Sequence, residues 1–171
     1  RVLEDAIQAR LGNTNIEQRC PARIMGLKAG RDSVAVSLRH GGDNPAVSAR
    51  LLVAADGGHS TVRTLLGIQQ DVRNYGQTAI VTEVNTAQEH HGTAYERFTA
   101  SGPLAFLPLG RRRCSVVWTL HDEQAEDVLQ QGEQEFTAAL QRAFGYWLGP
   151  ITLASRPQGF PLRLIRAATM T

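Results

Sequence analysis

Residues 51–63 read LLVAADGGHSTVR, an uninterrupted apolar run that ends at an acid and is followed by two glycines, a serine and an arginine. Uniform apolarity over Leu51–Ala55 is typical of a strand buried on both faces, as in the parallel sheet of an α/β protein. We expect a strand over 46–55 that ends in a turn at Asp56-Gly57. The carboxyl end of such a strand is where open α/β sheets bind ligands.

Gly57 and the polar residues of this stretch each suit a role at a ligand site. Gly57 has no Cβ, so another molecule can approach its main chain closely. Ser60 suits the N-cap of a short helix, TVRTLLG, whose unpaired N–H groups would favour a phosphate or a ribose oxygen. Asp56 would repel phosphate and is suited to hydroxyls or ordered water, while Arg63 can anchor the loop or pair with an anion. The same spacing also fits an ordinary strand–turn–helix, because Asp-Gly is a common turn dipeptide.

The residues on either side divide the chain into two regions of different pattern. An amphipathic helix, closed by Gly12-Asn13, and a hairpin are predicted before the stretch, and a turn follows over 40–45. After a polar crossing near 68–75, four strands point to an antiparallel sheet, a helical segment interrupted at Gly132 follows, and strands return after Leu148. The first helix is predicted over 1–11, the hairpin over 22–29 and 33–39, the four strands over 78–84, 93–99, 103–109 and 114–120, and the later helices over 123–144. The expected fold class is α/β with a mixed α+β character.

Composition excludes several functional classes. Lys and Arg total 18 against 16 Asp and Glu, a net charge of +2, which is too small to indicate a nucleic-acid partner. Cys20 and Cys114 are isolated and fit two reduced thiols of a cytoplasmic protein better than a disulfide or a zinc site. No run reaches the roughly 18–20 apolar residues of a membrane span. We find no catalytic nucleophile and no cluster with metal-ligand spacing, so no catalytic residue and no metal are predicted.

Further polar residues are open to two readings. His90-His91 is expected in a solvated loop, and His59 either lies on the surface or touches a ligand. The run Arg111-Arg112-Arg113 is expected to be a solvated hairpin turn, with contact to anionic lipid headgroups or a partner as the alternative.

The apolar run over 103–109 is also open to two readings. One alternating face could line a substrate pocket through Leu104, Phe106 and Pro108, or the run could be plain core packing. Pro108 also predicts an edge or a bulge, since proline cannot donate to a strand ladder. Trp118 is expected in the core.

LLVAADGGHSTVR resembles the Asp-Gly motif of the FAD-dependent aromatic hydroxylases, the class A flavoprotein monooxygenases. In that family an apolar strand leads into Asp-Gly, with a serine three residues later and an arginine three further on. Asp56, Gly57, Ser60 and Arg63 match these positions. The resemblance implies that they lie near FAD and bear on NAD(P)H use, and that Ile24 has its backbone near the adenine.

The second half is similar to the ubiquinone-biosynthesis subgroup of this family. The matching stretches are AYERFTASGPLAFLPL, RCSVVW, FTAALQRAFGYWLGPIT and FPL. Members that hydroxylate a 2-polyprenyl-6-methoxyphenol resemble the first stretch most. This implies a partial, Rossmann-like FAD-binding domain over 1–72, a β-rich substrate domain over 73–162 and a return to the first domain over 163–171.

The implied activity is hydroxylation of a polyprenylated phenol by a C4a-hydroperoxyflavin, formed from O2 and FAD that NAD(P)H has reduced. The implied partners are the phenol, molecular oxygen and other ubiquinone-biosynthesis proteins, with peripheral membrane contact expected from substrate solubility. G-x-G-x-x-G is absent from these residues, as is the family's second flavin motif, so we expect an internal fragment that is inactive alone. Two alternatives stay open: a hydroxylase of a soluble aromatic acid, and a non-catalytic scaffold subunit that binds a quinone intermediate.

Overall fold

The computed structural model of the chain describes residues 2–169. They form two compact units, here called the first and the second unit. The first unit comprises the residues up to Gln70 together with those from Ala167 onward, and the second unit comprises Asp71–Arg166. Arg1 of the predicted first helix, and Met170 and Thr171 of the predicted last segment, lie outside the described residues.

The first unit contains a three-stranded antiparallel sheet and two helices. Its elements are α1 (Val2–Leu11), β1 (Arg23–Ala29), β2 (Val34–Arg39), β3 (Ala46–Ala49) and α2 (Thr61–Leu65). The strand order is β1-β2-β3, and the predicted hairpin is confirmed because Ala29 pairs with Val34 at its tip. The predicted turn over 40–45 is also confirmed, since the N–H of His40 donates to the carbonyl of Asp43 at 3.0 Å.

The strand predicted over 46–55 is wrong in its length and in its pairing. β3 ends at Ala49 and runs antiparallel to β2. The apolar run Leu51–Ala55 lies in no strand, and the side chains of Leu51 and Val53 are 76% and 75% exposed. An apolar run is buried on both faces only where other elements cover both faces, and none of the described residues does so here.

The second unit is built on a larger sheet with two helices. Its strand order is β5-β6-β7-β4-β8, with β9 paired to β4. The four predicted strands and the antiparallel pairing are confirmed, although β4 begins well before the predicted residue 78. The elements are β4 (Gln70–Thr86), β5 (Tyr95–Thr99), β6 (Gly102–Gly110), β7 (Arg113–His121), α3 (Asp122–Gln130), α4 (Glu133–Phe144), β8 (Ile151–Leu153) and β9 (Gln158–Ala167).

The core of the second unit lies between one face of this sheet and its two helices. The predicted interruption at Gly132 is confirmed, since Gly132 is the N-cap of α4 and donates its N–H to Glu135 Oε2 at 3.2 Å. The Phe106 ring stacks on that of Phe144, with centroids 3.7 Å apart. Trp118 is buried in the same cluster, as predicted, and its ring meets that of Phe136 edge-on.

The other face of the sheet, here called the open face, carries the alternate side chains. Because successive strand residues point to opposite faces, Ala105 and Leu107 lie on the open face while their neighbours face the helices. Ala105 pairs with Val117, and Val117 pairs with Val81. These three side chains are partly buried and Leu107 is exposed, so the open face presents a small apolar surface.

Two loop predictions have different outcomes. The arginine turn is confirmed as solvated: Arg111 is exposed, although it forms an ion pair with Glu89 at 2.7 Å. The solvated loop predicted for both histidines is wrong for His90, which is buried. Its Nδ1 accepts the N–H of Gly92 at 3.0 Å, and its Nε2 meets the carbonyl of Gly110. These bonds fasten the loop after β4 to the β6–β7 turn.

Candidate functional site

The Asp-Gly loop is held together by hydrogen bonds at the start of α2. Ser60 is the N-cap, and its Oγ accepts the N–H of Arg63 at 3.0 Å, so the predicted cap is confirmed. Asp56 Oδ2 accepts the N–H of Val62 at 3.2 Å. The prediction that this helix start offers unpaired N–H groups to a phosphate is therefore wrong for Val62 and Arg63. A short helix whose first N–H groups are bonded within its own loop has little left to offer an anion.

The same contacts set the protonation state of the acid. The Ser60 hydroxyl, and after it the backbone N–H of Val62, hold the pKa of the Asp56 carboxyl below its usual value. Hydrogen bonds donated to a carboxylate favour its charged form. Asp56 is therefore ionised at neutral pH and acts as a hydrogen-bond acceptor.

Arg63 and Gly57 define the shape of the bend. Arg63 Nη2 donates to the carbonyl of Gly58 at 2.6 Å, which is the anchoring role that the sequence left as one of two alternatives. Gly57 has φ of 79°, and a Cβ placed on it would meet no atom within 4 Å. Such a backbone favours glycine, and the main chain there is open to another molecule.

Beside the bend lies a cavity of about 520 Å³, here called the Asp-Gly groove, which is formed entirely by residues of the first unit. Its walls are largely apolar, and residues 51–54 of the segment before Asp56 contribute to them. Its lining residues are Leu27, Ala29, Val34, Leu51, Leu52, Val53, Ala54, Asp56, Gly57, Ser60, Val62, Arg63, Leu66, Ile68, Ala167 and Thr169.

The structure brings four of the predicted site residues together and separates the others. Asp56, Gly57, Ser60 and Arg63 all line the Asp-Gly groove. Ile24 lies on β1 opposite Leu38, next to a bulge, and is not among the lining residues. Contact of any of these residues with a cofactor stays a prediction.

The predicted pocket residues of β6 have two placements. Leu104 and Phe106 are fully buried in the core cluster, which is the core-packing alternative, so neither presents a free surface here. Pro108 is partly buried beside a register shift in the β6–β7 ladder, and the predicted bulge is confirmed. A substrate contact of these residues stays a prediction.

Sequence reasoning missed most of the groove walls. Leu27 and Val34 flank the hairpin turn, and Ala167 comes from the far end of the chain. Nothing local marks them as site residues, because their contribution depends on which distant elements come together. The one available signal was the apolar run before Asp56, which is more apolar than a short surface segment requires.

A comparison with known families identifies the chain. The family described as FAD binding domain matches residues 1–155. The chain belongs to this family. The resemblance predicted from the Asp-Gly motif is therefore confirmed at the level of the family, and FAD is the cofactor that the family's description names.

Curated relatives of the chain include enzymes of ubiquinone biosynthesis. It is 40% identical over 150 residues to the ubiquinone hydroxylase UbiL of Rhodospirillum rubrum, covering 87% of this chain and 34% of that protein. It is 36% identical over 104 residues to the human mitochondrial ubiquinone biosynthesis monooxygenase COQ6, covering 60% of this chain and 22% of the relative. The chain thus spans about a third or less of the length of these relatives.

Solved structures show the same fold. PqsL of Pseudomonas aeruginosa, described as a probable FAD-dependent monooxygenase, matches 94% of this chain and 46% of its own with a TM-score of 0.72 at 22% identity. The p-nitrophenol 4-monooxygenase PnpA of Pseudomonas putida matches 95% of this chain and 41% of its own with a TM-score of 0.70 at 17% identity. The predicted mixed α/β fold class is confirmed: the sheets are mostly antiparallel, and the fold is similar to that of the FAD-dependent aromatic hydroxylases.

Residues 2–169 show neither a metal-ligand cluster nor a membrane-spanning helix. They contain no group of three or more histidine, cysteine, aspartate or glutamate side chains arranged to hold a metal ion. The helices described there are too short or too polar to cross a membrane.

Proposed function

We propose that this FAD-binding chain is part of a flavin-dependent monooxygenase that hydroxylates a polyprenylated phenol in ubiquinone biosynthesis, with NAD(P)H as the electron donor. The family match and the two relatives named above support this proposal. The observation that carries it is the Asp-Gly bend on the rim of an apolar groove, with an ionised acid and an open main chain side by side.

The donor and acceptor groups of the groove suit the hydroxyl and ring portions of FAD rather than its pyrophosphate. Asp56 accepts hydrogen bonds and would repel a phosphate, whereas a ribose or ribityl hydroxyl can donate to it. The main chain at Gly57 is open, and the leucine and valine side chains of residues 51–54 offer an apolar wall. We therefore assign the groove to part of the FAD site, with domain 1–72 as the FAD-binding portion.

Bound FAD would supply the redox chemistry and the activation of oxygen, while the chain would supply positioning and an environment from which water is excluded. Asp56 would hold a cofactor hydroxyl, and Ser60 would keep Asp56 ionised. Arg63 would keep the loop closed on the carbonyl of Gly58. These roles are binding and orientation, and no proton transfer is assigned to a side chain of this unit.

We assign the phenol and its apolar tail to the second unit, where the open face of the sheet is the accessible surface. The surface of Ala105, Val117 and Val81 is small and apolar, which suits a ring or an isoprenoid chain. At its edge Arg113 forms an ion pair with Glu83, so this cation is already neutralised. That arrangement favours an uncharged lipid-like substrate over an aromatic carboxylate, which would need an unpaired cation.

The first test concerns the cofactor. We expect the full-length gene product to purify yellow and the 171-residue chain alone to stay colourless. Asp56→Asn keeps the shape and removes the charge, and it should weaken FAD binding by about 10- to 100-fold because a charge-assisted hydrogen bond is lost. Asp32→Asn, the same change at an exposed acid of the first unit that does not line the groove, is the matched control. A full-length protein without flavin absorbance, or equal FAD affinity in Asp56→Asn, would contradict the assignment.

The second test concerns the reaction. We expect the full-length protein to consume NAD(P)H and to add one oxygen atom to a prenylated phenol, as mass spectrometry of the product would record. Turnover of a hydroxybenzoate instead would favour a soluble aromatic acid as substrate. Tight binding of the prenylated phenol with no turnover in the presence of FAD and NAD(P)H would favour the non-catalytic alternative.

A further inference from the structure

The loop that follows α4 holds two large aromatic side chains in solvent. Tyr146 is 70% exposed and Trp147 is 73% exposed. They are adjacent in sequence within the segment Gly145–Gly149, here called the aromatic loop. Scattered exposed apolar residues are normal, but neighbouring exposed aromatics mark a surface that interacts with something.

The aromatic loop is firmly braced from beneath. The buried Gln141 side chain donates to the carbonyl of Gly145 at 2.8 Å and accepts the N–H of Ile151 at 2.9 Å. Leu148 is buried between the two ends of the loop, and its carbonyl accepts the N–H of Gln88 at 3.0 Å. These contacts fix the backbone of the aromatic loop, so the two rings are preorganised in an outward position.

Two glycines set the backbone of the loop. Gly145 has φ of 89° and Gly149 has φ of 69°. A Cβ at Gly149 would lie 2.9 Å from the Cβ of Ala87. The chain therefore needs glycine at both ends to project residues 146 and 147 while it buries residue 148.

Each exposed ring has an arginine beside it. Arg142 and Tyr146 line one shallow depression, and Arg97 and Trp147 line another. Arg97 Nη1 donates to the carbonyls of Ala143 and Phe144, at 2.9 and 3.5 Å, at the end of α4. Glu133 and Glu96 line the same two depressions, so the patch carries both signs of charge.

We propose that the aromatic loop is a membrane-interface anchor that seats Tyr146 and Trp147 at the headgroup level of a phospholipid bilayer. Tyrosine and tryptophan are enriched at this depth because each has an apolar body and a polar tip. The guanidinium groups of Arg142 and Arg97 are complementary to lipid phosphates. Because an acid accompanies each arginine, binding depends mainly on the rings and only weakly on lipid charge and on salt.

This inference goes beyond the proposed hydroxylation and is independent of it. If both hold, the loop would bring the enzyme to a substrate with an isoprenoid tail dissolved in the bilayer. That consequence alone rests on the proposed function. The test below measures binding to lipid with no substrate, cofactor or turnover, so failure of one proposal is distinguishable from failure of the other.

The experiment uses the full 171-residue chain and vesicles of phosphatidylcholine with a minority of phosphatidylglycerol. The chain has two tryptophans, and Trp118 is buried in the core, so a change in emission on binding reports Trp147. We expect a blue shift, quenching by brominated lipid, and co-sedimentation that persists in about 0.5 M salt, where Debye screening reaches only a few ångströms.

Variants then locate the surface. Tyr146→Ser combined with Trp147→Ser should lower the vesicle partition coefficient by about tenfold or more, since two buried rings are lost. Ile16→Ser is the control: Ile16 is an apolar side chain of the first unit that is 59% exposed and lines neither the Asp-Gly groove nor the two depressions. It should leave partitioning unchanged. Equal melting temperatures of the variants would verify that each is folded.

Three outcomes would overturn the proposal. The first is no partitioning of the wild-type chain to these vesicles. The second is an equal loss of partitioning in Ile16→Ser, which would mean that general apolar exposure carries the binding. The third is that the chain does not bind lipid but self-associates in sedimentation velocity, and that the Tyr146 and Trp147 changes abolish this self-association. That result would assign the aromatic loop to contact with a second copy of the chain.

Discussion

Both units contain apolar segments, but the second unit buries its segments far more completely than the first. In the second unit the alternate residues of β4, β6 and β7 enter one continuous cluster with α3 and α4. In the first unit, among the residues that the structure describes, the buried ones are Val36, Ser60 and Val62. The apolar run of the first unit, Leu51–Ala55, is largely exposed, and its residues 51–54 line the Asp-Gly groove. An apolar run in the sequence therefore indicates a segment that burial would stabilise, while the elements that pack around it decide whether it is buried.

The largest difference we expect between the units is in cysteine reactivity. Cys20 of the first unit is exposed and Cys114 of the second is buried, where burial also raises the pKa of its thiol. Cys20 should react with a thiol reagent about a thousand times faster or more, because Cys114 must wait for an opening of the core.

Mass spectrometry of peptides after timed labelling would measure both rates in one sample, and labelling in denaturant is the control. Comparable rates without denaturant would mean that the second unit lacks the closed core described here.

A core substitution sharpens the comparison within the second unit itself. Phe106→Ala should lower the free energy of unfolding by about 3–5 kcal/mol, because it removes the ring stacked on Phe144 and leaves a cavity. Leu107→Ala, one position along the same strand and on the open face, should cost less than about 1 kcal/mol. Urea denaturation followed by tryptophan fluorescence would give both values. Similar losses would show that the two faces of β6 are not distinct in burial.

In the first unit, where few residues are buried, local hydrogen bonds matter more than packing. Ser60→Ala should cost about 1 kcal/mol because α2 loses its cap. The same change should speed hydrogen exchange at the amide of Arg63, which Ser60 Oγ accepts. His59→Ala, an exposed neighbour, should change stability by no more than about 0.5 kcal/mol. Unchanged exchange at Arg63 in Ser60→Ala would refute the cap.

The smallest effect concerns pH and Asp56. Because folding lowers the pKa of this carboxyl, its contribution to stability is complete above the unfolded value of about 3.9 and is lost as the pH falls from there through the lower folded value. The stability difference between the wild type and Asp56→Asn should therefore be greatest at neutral pH and shrink in this acid range. Thermal melts across pH would record it. A difference that grows on acidification has the wrong sign for a lowered pKa.

Local pattern predicted most elements of the second unit. Helical spacing correctly predicted the apolar stripe of 123–144 and the break at Gly132. A helix packed on a sheet needs one apolar face, and that face is set by residues three or four positions apart in the sequence. The same kind of argument failed for His90: a histidine pair next to a glycine reads as a solvated loop, and only the approach of the β6–β7 turn makes His90 a buried connection between two loops.

At the candidate site the sequence predicted the cap at Ser60 and the glycine at the bend, since both depend only on residues a few positions away in the sequence. It could not predict that Asp56 and Ser60 bond the N–H groups of Val62 and Arg63 and so leave little for a phosphate. It also could not choose between the two faces of β6, because alternation gives two equivalent faces until helices cover one of them.

By itself the sequence determined the family, through the spacing of Asp56, Gly57, Ser60 and Arg63 after an apolar run, and it determined most of the short segments that become helix, strand or turn. These features depend on residues within a few positions of one another, where steric and hydrogen-bonding preferences act directly. Only the tertiary structure decided that residues 51–54 line a groove, that Leu104 and Phe106 belong to the core, and that Tyr146 and Trp147 are exposed to solvent. Burial is a property of residues brought together from distant parts of the chain, and no local preference encodes which of them will meet.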